Sequence, residues 1–125
     1  MKKKYLEFYE LNAYKISFSL SNYVWEIVVK WNYLAQKTVG SQWIRAVDSI
    51  SANLAEGFGR YTKKAKIGFY RYSFASRNES IDWLEKSRIR KLISDNQYAY
   101  IKSELDKLPR EINSLIKFTN DKLST

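Results

Sequence analysis

The chain has 125 residues, of which 45% are hydrophobic and 16% aromatic, and its formal charge is +9. This length is enough for one domain that buries about two-thirds of its unfolded surface without metals or disulfides. Because cysteine and histidine are both absent, thiol nucleophiles, imidazole bases and zinc sites with nitrogen or sulfur ligands are excluded, and the positive charge favours an acidic partner.

The N-terminal residues lack the pattern of a targeting segment. Three lysines follow Met1, but Glu7, Glu10, Asn12 and Lys15 interrupt any apolar core after them. The sequence also contains no run of about 18 apolar residues that could span a bilayer. We therefore expect a cytoplasmic protein with no membrane partner.

The spacing of apolar residues predicts four helices in a single domain over residues 1–125. One proline and four glycines favour long helices, and apolar residues recur at steps of three and four. We expect helices at about 12–37, 41–58, 62–93 and 96–121. Because the connections are short and no strand pattern is present, the fold class is expected to be all-α, an up-down-up-down four-helix bundle.

Polar residues near the predicted helix starts have the chemistry of N-caps. Asn12 is the expected cap of the first helix, and Thr62 is that of the third. The second helix is expected to begin at Thr38 or Ser41. These caps set the residue at which each connection ends and the next helix begins.

Glycine and proline are expected to shape two of the helices. Gly57 and Gly59 are predicted to end the second helix through left-handed backbone conformations. Pro109 lies inside the apolar series of the last helix, and that series continues across it. We therefore expect a kink near Leu105 rather than a chain reversal.

The first predicted helix is apolar on almost every side. Its middle contains the nearly continuous series Tyr23, Val24, Trp25, Ile27, Val28, Val29 and Trp31. A helix that is apolar all round is usually buried by something besides its own bundle. We interpret the pattern as self-association, with dense packing inside a monomer as the alternative.

The second predicted helix carries a line of polar residues beside its apolar line. This polar line follows steps of three and four and comprises Gln42, Arg45, Ser49, Asn53, Glu56 and Arg60. It is typical of a hydrogen-bonded seam, because each of its arginines lies within reach of Asn53 or Glu56. Three roles are open: packing inside the bundle, sealing a subunit interface, or contacting a ligand. The structural roles are favoured.

Residues 42–60 contain the pattern Gln-x-x-Arg-Ala-x-x-Ser-Ile-x-x-Asn-x-Ala-Glu-Gly-x-x-Arg. The pattern resembles the signature of a bacterial four-helix-bundle family first found in intervening sequences of large-subunit, 23S, ribosomal RNA genes. The resemblance covers most of the chain, implies the same fold and carries no settled activity. The family usually has a turn rich in proline and glutamate where this chain has residues 32–37, so we expect continuous helix there.

A related branch of that family contains the accessory protein of diversity-generating retroelements. Likeness to that branch implies a homopentameric ring. It also implies a reverse transcriptase and nucleic acid as partners.

The best candidates for contacts with phosphate lie in the segment 57–78, which has no acidic residue. Its basic residues are Arg60, Lys63, Lys64, Lys66, Arg71 and Arg77. Three of these lysines fall in the first turns of the third helix, where the helix dipole disfavours cations. A bound phosphate would remove that conflict, whereas a solvated basic corner is the alternative reading. A second basic patch, about 30 to 40 Å further along the helix, comprises Lys86, Arg88, Arg90 and Lys91.

Catalysis is not expected, because no second acid or imidazole converges on Glu56. The acidic cluster of Glu79, Asp82 and Glu85 is expected to pair with Lys86 or Arg88 rather than to bind a metal. No cofactor is expected. Our leading hypothesis is a non-enzymatic oligomer that binds structured RNA, or an RNA–protein complex, through backbone phosphates. The alternative is a protein-binding scaffold or accessory subunit, for example of a reverse transcriptase.

Overall fold

The structure is a computed structural model that describes residues 6–123, so the lysines at positions 2–4 lie outside the described residues. Over residues 6–123 it contains a short 3-10 helix at Phe8–Glu10, four longer helices and no strand, which confirms the all-α prediction. The second helix has three consecutive segments. The helices are α1, Asn12–Val28; α2, Tyr33–Ala35, Gln36–Gly40 and Ser41–Phe58; α3, Lys63–Ile89; and α4, Asp95–Lys122.

Consecutive helices pack side by side in alternating directions, and α4 packs against α1. At the α2–α3 contact, the Ser73 hydroxyl donates to the Ile50 carbonyl over 2.8 Å. At the α1–α4 contact, the rings of Tyr23 and Tyr100 lie 4.6 Å apart. The largest fully buried side chains are Trp43, Tyr70, Leu20, Ile50, Leu54, Leu84, Ile101, Leu105, Leu108, Ile112, Val24 and Val47.

The first helix is shorter than predicted, because α1 ends at Val28 and not near residue 37. Asn32 begins a new helix, since its side chain accepts a hydrogen bond of 3.0 Å from the amide of Ala35. Gln36 donates back to the carbonyl of Val28 and so satisfies the end of α1. Residues 33–37 are helical, as expected, but they belong to α2. The prediction of a helix that continues from α1 was wrong, because the helix breaks at residues 29–32. Leu34, in the first turn after this break, is 70% exposed.

Three further helix ends differ from expectation. Thr38 does not cap α2, because its hydroxyl bonds to the Leu34 carbonyl within the helix. Asn12 is the first residue of α1 rather than its cap. Helix α3 ends at Ile89 instead of 93, because Lys91 takes the left-handed conformation with a φ of 59°. The predicted cap at Thr62 is confirmed by its 3.1 Å hydrogen bond from Ala65.

Gly57 lies inside α2 with a right-handed backbone, so the left-handed end predicted there was wrong. Gly59 also has a negative φ, of −82°. Gly57 is required for another reason, because α2 and α3 approach closely at this point. A Cβ atom on Gly57 would lie 2.8 Å from a ring carbon of Tyr70 and 2.9 Å from Cβ of Phe69.

Replacement of Gly57 by alanine is expected to lower the free energy of unfolding by about 1–3 kcal/mol, since the added methyl group overpacks the α2–α3 contact. Gly59→Ala is the matched control, because its Cβ would lie 3.6 Å from the nearest carbonyl oxygen. That variant should stay within about 0.5 kcal/mol of the wild type. Urea unfolding measures both, and equal midpoints for the two variants would contradict the close-packing explanation.

The last helix continues across Pro109 without interruption. Proline has no amide hydrogen, so the carbonyl of Leu105, four residues earlier, loses its usual helical partner. The side chain of Arg77 on α3 takes that place, with Nε donating to the Leu105 carbonyl over 2.9 Å. In the described chain, no helix is both long and apolar enough to cross a membrane.

Candidate nucleic-acid interface

The polar line of α2 bonds along its own helix rather than across the bundle. The Ser49 hydroxyl donates to the Arg45 carbonyl over 2.8 Å, and the Asn53 amide donates to the Ser49 carbonyl over 2.9 Å. Arg60 pairs with Glu56 at 2.7 Å, as predicted. Four members, Gln42, Arg45, Glu56 and Arg60, are exposed. Packing inside the bundle is therefore not the role of this line, and an interface or a ligand remains.

Two of the lysines at the start of α3 are held by the ends of neighbouring helices. Nζ of Lys66 donates to the Phe58 carbonyl at the end of α2 over 2.6 Å, and burial lowers the pKa of this lysine. Nζ of Lys63 donates to the Asn120 carbonyl near the end of α4 over 3.1 Å. Both cations meet the negative ends of helix dipoles. For Lys63 and Lys66, the conflict expected in the first turns of α3 is therefore resolved within the chain, without a bound anion.

Arg77, another predicted phosphate contact, has a structural role. Its side chain is only 13% exposed, and Nη2 lies 3.3 Å from the carboxylate of Asp106. Burial lowers the pKa of Arg77, and the charge of Asp106 partly opposes that effect. Because the guanidinium also bonds to the Leu105 carbonyl, Arg77 joins α3 to α4 and does not face a ligand.

Two further arginines are partly neutralised by nearby groups. Arg60, already paired with Glu56, lies over the ring of Phe69 at 4.6 Å. Arg88 lies over the ring of Tyr98 at 4.8 Å and within 3.5 Å of Glu85. Such stacked and paired arginines are held in position and offer less of their charge to a ligand.

Four of the predicted basic residues carry a charge that no described side chain neutralises. They are exposed, and the structure gives them no ion pair or side-chain hydrogen bond to any other residue of 6–123. The four are Lys64, Arg71, Arg90 and Lys91. The first two lie on the opening turns of α3 and the last two at its far end, so the basic surface has two separate parts.

The exposed side of α3 between these two parts carries acidic residues. Glu79 and Asp82 are both exposed there, and Lys86 pairs with Asp82 at 2.6 Å. Glu85 pairs with Arg88, so the predicted pairing of this acidic cluster is confirmed for those two carboxylates. A single basic track along the whole helix is therefore absent. Among residues 6–123, no group of three or more acidic side chains is arranged to hold a metal ion.

Two open grooves meet at Lys64 and Gly68. One, of about 540 Å³, is lined by Lys63, Lys64, Ile67, Gly68, Arg71 and Asn120. The other, of about 360 Å³, is lined by Thr62, Lys64, Ala65, Gly68, Phe69 and Tyr72. The sequence interpretation missed Gly68. A glycine inside a predicted helix was the available signal, because it costs about 1 kcal/mol relative to alanine.

A second exposed surface combines α1 with the start of α2. It is apolar, and its members are Phe18, Trp25, Val29, Tyr33 and Leu34, which are between 42% and 75% exposed. Of these, the sequence analysis singled out Trp25 and Val29. We call this surface the apolar face. Phe18, Trp25 and Val29 share one side of the first helix by their spacing of seven and four residues. Exposed apolar side chains on one side of a helix are typical of a protein–protein contact.

The fold and surfaces together define a basic four-helix bundle with an open cationic groove and a separate apolar face. Residues 9–114 match the family model of the 23S rRNA-intervening sequence protein, and the chain belongs to that family. The fold is similar to the crystal structure of a protein with unknown function from the S23 ribosomal protein family of Bacteroides thetaiotaomicron. That likeness has a TM-score of 0.75 and 22% sequence identity, and it covers 84% of this chain and 98% of the other. No curated protein matches the sequence.

Proposed function

We propose that this protein is a non-enzymatic, oligomeric bundle that binds RNA, or a complex that contains RNA, through backbone phosphates. The observation that carries the proposal is the pair Lys64 and Arg71, two exposed cations that bond to no side chain among residues 6–123 and line the larger of the two grooves. The overall charge of +9 supports the same partner class, because it attracts a polyanion over the whole surface.

The arrangement favours contacts with phosphate over recognition of base sequence. Lysine and arginine side chains on a helix reach phosphate oxygens of any sequence. Lys64 and Arg71 are seven residues apart, so they lie about 10 Å apart along α3. Lys63 lines the same groove, but its ammonium is already bonded to the carbonyl of Asn120. The free pair therefore carries most of the expected binding energy at this groove.

Binding of RNA to the wild-type protein is expected to weaken steeply with salt. Two to four free cations per chain would release a similar number of counterions, which gives a slope of about −2 to −4 in a plot of log affinity against log salt. Fluorescence anisotropy of a labelled RNA measures the slope, with a neutral polymer as control. Absent binding, or affinity independent of salt, would contradict the proposal.

A second candidate function is that of a protein-binding scaffold or accessory subunit, for example of a reverse transcriptase. The apolar face supports this candidate, because its five side chains have no place in the core of one chain. The same face supports self-assembly, and a homopentamer is the assembly that we propose. Under this candidate the RNA titration would show no binding, whereas the assembly would still form.

Substitution of Trp25 by serine is expected to break the proposed assembly. Trp25 is 51% exposed in the apolar face, so the change removes apolar contact area without opening the core. Light scattering should give a wild-type mass near five chains and a smaller mass for Trp25→Ser. The matched control is Tyr72→Ser, which removes a 60% exposed ring on α3. A wild-type protein that is monomeric at every concentration would contradict the assembly.

A further inference from the structure

One exposed tyrosine lines the smaller groove at Gly68, and a second lies just before that groove's first residue in the sequence. Tyr72 lines that groove and is 60% exposed, whereas Tyr61, which precedes the groove residue Thr62, is 90% exposed. The ring of Tyr72 packs edge-on against Phe69 at 5.6 Å, and Phe69 is covered on another side by Arg60 at 4.6 Å. The contact with Phe69 therefore holds the Tyr72 ring in position, and the exposed part of that ring can stack on a planar group.

Free cations lie beside these rings. Lys64 lines both grooves, and Arg71 lines the larger one. From Lys64 to Tyr72 the helix advances about 12 Å, so cation and ring lie within the reach of one short strand of nucleotides. A positively charged groove combined with exposed aromatic rings is the usual platform for single-stranded nucleic acid, because phosphates meet the cations and bases stack on the rings.

Gly68 supports close approach of a ligand to the helix backbone. A Cβ atom at this position would meet no atom of the protein within 4 Å, so packing within the chain does not require glycine here. Alanine would favour the helix more than glycine does. The glycine keeps the floor of both grooves open between the two cations.

A duplex fits this surface less well than a single strand. The bases of a duplex are stacked on each other, so they leave the Tyr72 ring without a partner. A duplex also presents phosphates over a longer distance, and the next exposed residues along α3 include the acidic Glu79 and Asp82. Those carboxylates would repel phosphates beyond the first turns of the helix.

We propose that the groove around Gly68 binds single-stranded nucleic acid, with an unpaired base stacked on Tyr72 and phosphates held by Lys64 and Arg71. This inference rests on the proposed function and narrows its ligand to unpaired nucleotides.

The test compares an unstructured oligouridine of about 15 nucleotides with an RNA duplex of the same length, at one moderate salt concentration. The wild type is expected to bind the single strand more tightly. Tyr72→Ala should weaken that binding at least about five-fold, which corresponds to 1 kcal/mol for one stacked base, and should leave duplex binding unchanged. Tyr72→Phe should restore the affinity because it keeps the ring.

Tyr100→Ala is the matched control, since Tyr100 is 43% exposed on α4, lies outside the apolar face and lines neither groove. Gly68→Ala is a second variant that is expected to fold at least as stably as the wild type and to bind the single strand more weakly. Equal affinity for both RNAs, unchanged by Tyr72→Ala, overturns the inference but leaves the proposed function standing. Absence of binding to either RNA overturns both.

Discussion

Replacement of Arg77 by methionine is expected to lower the free energy of unfolding by about 1.5–3 kcal/mol, and much of that loss should disappear when Pro109 is also replaced by alanine. Methionine keeps much of the length and apolar volume of the side chain but cannot donate hydrogen bonds. The Leu105 carbonyl then loses the donor that Arg77 supplies over 2.9 Å. The pairing with Asp106 is lost in the same variant.

The dependence on residue 109 follows from helix geometry. Alanine at this position has an amide hydrogen, which can donate to the carbonyl of Leu105 four residues earlier. Arg77 is then no longer needed at that carbonyl. Pro109→Ala alone should also stabilise the protein, because proline inside a helix is unfavourable.

Urea unfolding of the wild type, both single variants and the double variant measures this coupling as a double-mutant cycle. Arg71→Met is the control, because Arg71 is exposed on the same helix and should change stability by no more than about 0.5 kcal/mol. Strictly additive effects of Arg77→Met and Pro109→Ala would show that the arginine does not replace the missing amide.

The buried apolar residues of α2 and α4 could be predicted from the sequence, because apolar residues recur at unbroken steps of three and four along both helices. The apolar line of α2 was expected in the core, and its members Trp43, Val47, Ile50 and Leu54 are each at most 1% exposed. Its last member, Phe58, is only half-buried. The positions of the buried members depend on local periodicity, which the fold preserves. The family assignment made from residues 42–60 is likewise confirmed by the match over residues 9–114. It could be made from the sequence because the pattern is local to one part of the chain.

The turn between α1 and α2 could not be predicted from periodicity, because apolar residues continue through it. Trp31 packs on Trp43 with ring centroids 6.1 Å apart, although it follows the end of α1. The useful signal was Asn32, which can accept a hydrogen bond from an amide three residues later. The apolar spacing predicted one continuous helix. The Asn32 cap and the hydrogen bond from Gln36 to the Val28 carbonyl instead divide this segment into two helices.

The sequence predicted which basic residues lie near the site, but it could not predict which of them are free to bind a ligand. Lys63 meets Asn120, which is 57 positions away in the sequence, and Arg77 meets Leu105, 28 positions away. Such contacts depend on how α3 packs against α4. Lys64 and Arg71 differ from those residues only in the side of α3 they occupy. The tertiary structure was therefore needed to separate two free cations from their engaged neighbours.

Double charge reversal, Lys64→Glu with Arg71→Glu, is expected to weaken binding to every RNA sequence alike. These side chains lie in the larger groove and are held by no other described residue, so the reversal removes phosphate contacts without breaking internal ones. Each lost contact should reduce the magnitude of the salt slope by about 1, and the pair by about 2. Folding should be unaffected, because both positions are exposed.

The matched control is Lys15→Glu with Lys30→Glu, two exposed lysines on or just after α1. Both double variants remove four units from the formal charge of +9, so they separate a defined site from general attraction. The most direct test is RNA affinity against salt for the wild type and these two variants. We predict a slope reduced by about 2 for the groove variant and a nearly wild-type slope for the control. Equal losses in both variants would contradict a phosphate-binding groove at Lys64 and Arg71.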